Sequence, residues 1–91
     1  MVSHRYYGRV QVHSDGQGPA EFSWRGRRYL VREVLESWVE AVPWWSHHGK
    51  GHGAPARRTV WRVEAITRTG ASGVYDLCVA SDRWRLLRVI D

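Results

Sequence analysis

The sequence predicts a mainly β fold: a small antiparallel, partly open barrel of five to six strands, SH3-like or OB-like, with room for one short helix. Three observations predict it. Several short tracts alternate apolar and polar residues with the period of two that a half-buried strand requires. Their connectors, such as "TGASG" and "SD", have the length and residue types of hairpin turns. Finally, 91 residues with 43% hydrophobic content fit one domain, 1–91, and are too few to stack two full sheets. The sheet must therefore curl on itself, which also hides its edges.

Taken in order, "YYGRVQVHSD" sets Val10 and Val12 against Arg9, Gln11 and His13 and reads as a strand. Asp15-Gly16 with Gly18-Pro19 then breaks it. "AEFSWRGRRYLV" is a hairpin: Phe22 and Trp24 share a face, Arg25-Gly26 makes the turn, and Tyr29 and Val31 return along the same side. The stretch 31–42 admits two readings. Val31, Val34, Leu35, Trp38 and Val42 have helical spacing, with Glu33, Glu36 and Glu40 opposite. No capping residue precedes them, however, and Tyr, Val and Trp favour strands, so a long bent strand with a bulge near residues 33–35 is the preferred reading.

A loop is expected at about 43–58, its "SHHGKGHGAPA" centre favouring mobility. Three more strands follow as an antiparallel meander. They alternate through Trp61, Val63 and Ala65, then Tyr75, Leu77 and Val79, then Trp84, Leu86 or Leu87, and Val89. Trp24, Trp38, Trp61 and Trp84 are expected in the core.

The bulk chemistry narrows the function classes. The only cysteine, Cys78, lies in an apolar segment, so an internal disulfide and a multi-cysteine zinc site are excluded, and the residue reads as a small buried hydrophobe. No phosphate-cradling glycine motif, paired carboxylates or Ser-His-Asp arrangement is evident, so the chain is expected to be no enzyme and to need no cofactor. No apolar run approaches the roughly 20 residues of a spanning helix, and "MVSHRYYGRV" lacks the apolar centre of a signal peptide, so a cytoplasmic protein without membrane association is expected. The 14 basic residues, all arginine except Lys50, exceed the nine acidic ones and give a net charge of +5. Arginine's planar fork suits phosphate and carboxylate partners, although a genome rich in arginine codons would produce the same excess.

The run "FSWRGRRYLVREVLESWVEAVPWW", followed by "VWRVEA", "GVYDL" and "RWRLLRVID", resembles a family of small uncharacterised actinobacterial domains. Members of that family stand alone or form the C-terminal portion of ImuB-type proteins, the Y-family polymerase relatives of a mutagenic DNA-repair cassette. The resemblance spans about residues 10–91 and rests on Trp and Gly positions, with no catalytic residues to carry over. It implies a role in DNA-damage tolerance through contacts with proteins or DNA. The His- and Gly-rich loop departs from the family pattern.

The candidate binding residues form two basic clusters. Trp44 and Trp45 offer stacking faces beside Lys50, Arg57 and Arg58, while Arg25, Arg27 and Arg28 crowd the hairpin tip. His47, His48 and His52 are the candidate metal ligands. Adjacent histidines in a strand point to opposite sides, and no Cys, Asp or Glu of the loop completes a closed set. The expected function is a non-catalytic interaction module that binds a protein partner of a DNA-repair assembly. The alternative is a single-stranded nucleic-acid-binding domain using the Trp/Arg surface, and a third reading is a metal-binding protein acting through the histidine loop.

Overall fold

The computed structural model describes residues 3–42 and 57–90. Seven strands make up one antiparallel sheet: β1 (Ser3–Arg9), β2 (Gln11–Asp15), β3 (Gly18–Trp24), β4 (Arg27–Ala41), β5 (Arg57–Thr67), β6 (Ser72–Ala80) and β7 (Arg83–Ile90). Their spatial order is β1-β7-β6-β5-β4-β3-β2. Every neighbour except β1 and β7 is also consecutive in the chain.

The edge strands β1 and β2 are joined through the single residue Val10. In a flat seven-stranded sheet the two edges would lie about 29 Å apart, at ~4.8 Å per strand. Two residues of chain reach only about 7 Å. The sheet therefore has to curl until its edges meet at Val10, which gives an open half-barrel. The count of seven exceeds the expected five to six because the leading tract is two strands: it leaves β7 at Arg9 and joins β3 from Gln11. Alternation along the sequence cannot reveal a change of partner.

Among the described residues there is no helix, and 31–42 is strand as far as Ala41. The ladder of β4 with β5 is shifted between Val31 and Glu33 and again between Val34 and Glu36, so Arg32 and Leu35 are extra residues that bend the strand.

Phe22, Tyr29, Val63, Ala65, Leu77, Leu86 and Val10 form the main buried cluster on the inner face. Phe22 and Tyr29, directly opposite across β3 and β4, stack at 4.7 Å, and Tyr75 meets both edge-on at 5.4 and 5.2 Å. A shift in the β6–β7 ladder leaves Leu87 as an extra residue, so both leucines are buried. Leu86 enters the inner cluster, and Leu87 joins Val60 and Cys78 in a second cluster on the opposite face. The four tryptophans expected in the core instead sit half-buried at its margins: Trp24, Trp61 and Trp84 against the inner cluster, Trp38 against the outer one.

Two tight hairpins share an unusual backbone. The β3–β4 turn places Arg25 at φ 52° and Gly26 at φ 77°, and the β6–β7 turn places Ser81 at φ 50° and Asp82 at φ 63°. Positive φ at both central residues suits the right-handed twist of the flanking strands. For Arg25, Ser81 and Asp82 it costs roughly 1–2 kcal/mol each.

Candidate functional site

Strand β4 is the longest element, and its aromatic and β-branched residues suit a pleated surface. It pairs with β5 from Tyr29 to Ala41, but with β3 only from Arg27 to Leu30. Beyond Leu30, β3 turns away towards β2, and Trp61 fills the space beside it: a Cβ at Gly18 would lie 2.8 Å from the indole. Over residues 31–41 no described strand pairs with the other edge of β4. The backbone groups facing outward there have no strand partner among the described residues and form the kind of edge to which another strand can add.

Leu30, Val34, Leu35 and Val39 are the exposed large aliphatics among the described residues, and all four belong to β4; Val39 is 57% exposed. Val34 and Val39 pair with Val63 and Thr59 on the inner side, where β3 would have covered them had it continued. The two bulges blunt the edge up to Leu35, and regular pairing with β5 resumes over 36–41.

Side chains on the outer face hold this half of β4 in place. The Trp38 indole N–H donates to Glu40 Oε1 at 2.8 Å, and Arg58 donates through Nε and Nη2 to Glu40 Oε2 at 2.9 and 2.6 Å. Burial alone would raise the Glu40 pKa, but the Trp38 and Arg58 hydrogen bonds with the nearby arginine charge prevail and hold it below the ordinary carboxylate value. Arg62 lies 5.3 Å over the Trp38 ring, grips the fully buried Asp76 at 2.9 and 3.0 Å, and reaches Glu36 at 3.5 Å. Arg88 reaches the same Asp76 at 3.3 Å. A bidentate clamp on a buried carboxylate fixes geometry well. The free edge is thus preorganised, and ordering it on binding costs little.

The basic residues singled out in the sequence do not form one surface. Arg25, Arg27 and Arg28 are exposed at the β3–β4 tip, where Arg25 stacks 4.7 Å over Trp24 and Arg28 pairs with Glu21 at 3.2 Å. Arg57 and Arg58 belong to β5 and lie opposite Ala41 and Glu40, at the far end of the β4–β5 ladder. Arg58 is committed to Glu40. Trp44, Trp45, Lys50, His47, His48 and His52 lie outside the described residues. Among the described residues, no group of three or more His, Cys, Asp or Glu side chains is placed to hold a metal ion. Burial raises the Cys78 thiol pKa, an effect that outweighs the arginine charges nearby.

Sequence reasoning missed the free edge of β4 because its existence depends on where β3 departs. The one local signal was the bulge.

The family model of DUF6504, a domain of unknown function, matches residues 2–91, and the chain belongs to that family. No curated protein and no solved structure matches the chain.

Proposed function

We propose that this DUF6504 member is a non-catalytic interaction module of a DNA-damage-tolerance assembly, docking an extended segment of a partner protein along the free edge of β4. The observation that carries this reading is that Val34, Leu35 and Val39, three of the four exposed large aliphatics among the described residues, lie on the stretch of β4 whose second edge no described strand pairs. Single exposed aliphatics are ordinary on any surface, whereas a contiguous set beside open backbone donors and acceptors marks a place for strand addition. The incoming segment takes up the course that β3 abandons, pairs with residues 36–41 and covers Val34 and Val39. Arg32 and Glu33, both exposed at the first bulge, balance each other in charge, so an apolar extended segment is the occupant that this surface fits. The resemblance to the C-terminal portion of ImuB-type proteins supports the repair setting.

The test is size-exclusion co-migration with purified components of an ImuB-type cassette, using the wild type and Val39→Glu. The substitution falls on an exposed side chain, so the fold should persist while a charge enters the docking surface. Loss of co-migration with an unchanged circular dichroism spectrum is the expected result. Failure of the wild type to bind any component, or undiminished binding by the variant, rules the reading out.

A further inference from the structure

Over residues 36–41 the free edge of β4 presents a fixed pattern of backbone groups. Ser81 and Asp82 alone separate β6 from β7, so Ala80 and Arg83 beside the turn form a hydrogen-bonded pair. Such pairs alternate along every antiparallel ladder. Carried across β6 and β5, the alternation makes hydrogen-bonded pairs of Thr59 with Val79, then of Trp38 with Val60 and Glu40 with Arg58. The N–H and C=O groups of Ser37, Val39 and Ala41 therefore point to the edge that no described strand pairs. Counting instead from Trp24 and Arg27, around the two-residue β3–β4 turn, makes Leu30 and Ile66 a hydrogen-bonded pair and leads to the same assignment.

Sheet edges that stay unpaired are commonly blunted by bulges, charged side chains or proline. The end strands of this sheet show such devices. The β1–β7 ladder shifts between Arg5 and Gly8, and the β2–β3 ladder shifts between His13 and Ser14, where His13, Ser14 and Asp15 are all exposed. Residues 37–41 of β4 differ. Their ladder with β5 is regular, and the inner-face side chains Ser37, Val39 and Ala41 are exposed, uncharged and small. A strand with the same features makes a fitting mate, and every copy of the chain carries one.

We propose that two copies of the chain pair antiparallel along this edge, with Val39 facing Val39 across a two-fold axis. The inference rests on the same open edge as the docking reading, so dimer and docked complex exclude each other, and the second copy holds the edge until a partner segment displaces it. Side chains select the register. Antiparallel mates share a face, and an axis at Val39 sets Ser37 against Ala41 and Trp38 against Glu40 of the second copy. An axis at Trp38 would oppose Glu36 to Glu40, and one at Glu40 would oppose that carboxylate to itself, like charges that disfavour pairing. An axis at Ser37 would bring Val39 onto the extra residue Leu35, and one at Ala41 would bring it onto Pro43, which has no N–H to donate. In the Val39 register Ser37, Val39 and Ala41 each find a hydrogen-bonding mate among the same three residues, which makes the interface isologous.

The experiment is sedimentation equilibrium of the whole chain from roughly 5 μM to 1 mM, a range suited to an interface smaller than the ~800 Å² a side of a standard complex. The wild type should pass from monomer to dimer within it. Ser37 and Ala41 are exposed, so charges placed there should leave the circular dichroism spectrum unchanged. Ser37→Lys with Ala41→Lys sets like charges against each other across the axis and should keep the chain monomeric throughout. Ser37→Lys with Ala41→Glu sets opposite charges at the same positions and should dimerise about threefold more tightly than wild type. A wild type that stays monomeric to about 1 mM overturns the proposal. So does a like-charge variant that dimerises as wild type does, or an opposite-charge variant that dimerises no more tightly. The docking test fails separately: a monomeric wild type that still co-migrates with a cassette component sinks the dimer alone, and a dimer that binds no component sinks the docking reading alone. A complex in which the dimer persists with a component bound would overturn the mutual exclusion.

Discussion

Gly18 has no side chain because the Trp61 ring occupies the place where one would begin. Its φ of 122° is open to glycine and strained for any other residue, and a Cβ would approach the indole to 2.8 Å. Both penalties act on Gly18→Ala, which is expected to destabilise the fold by about 2–4 kcal/mol. Chemical denaturation followed by tryptophan fluorescence measures this, and an unchanged midpoint would contradict the packing described. The sequence marked Gly18 only as part of a turn. The residue's second role depends on a tryptophan more than 40 positions away and leaves no local trace. Cys78 was the easier case: its apolar neighbours foretold burial, and it is 4% exposed.

At the scale of the element, β4 is held along residues 36–41 by β5 on one edge and by the outer-face ion pairs. Glu40 is the member of that network whose charge pH can remove. Its folded carboxyl has a pKa below the ordinary 4.5, so the ionised form adds stability that is fully present above that value. The contribution disappears as pH falls through the lowered folded value. Glu40→Gln should therefore be less stable than wild type at neutral pH by about 1 kcal/mol, a modest figure because the side chain is partly in solvent. The gap should close below about pH 4.5. Thermal melts of both proteins across an acid series test this, and a gap that stays constant to low pH would show that Glu40 acts by shape alone. The strands themselves were largely legible, since alternation and turn residues are local properties. The bend in β4 was the preferred of two readings, because strand-favouring residues at helical spacing with no cap before them fit a long strand carrying a bulge. Its free edge was not legible, because pairing ends through the departure of β3, an event recorded elsewhere in the chain.

For the whole molecule, the decisive pairing is β1 with β7, which aligns Ser3 with Ile90 and Arg9 with Arg85. This register brings together residues from opposite ends of the sequence, a pairing that no local pattern records. Deleting residues 1–9 should uncover an edge of β7 and open the inner cluster. The expected result is loss of the cooperative thermal transition and of the near-ultraviolet circular dichroism of the packed aromatic rings. A truncated chain that still melts cooperatively would show that the crossing at Val10 contributes little.

That pairing also sets the order in which the protein can be made. Translation delivers β1 before β7, so the opening strand waits through the synthesis of the five strands between them and of β7 itself before its mate exists. The meander of β5, β6 and β7 can zip up as it emerges, but the half-barrel is sealed only once β7 has been made.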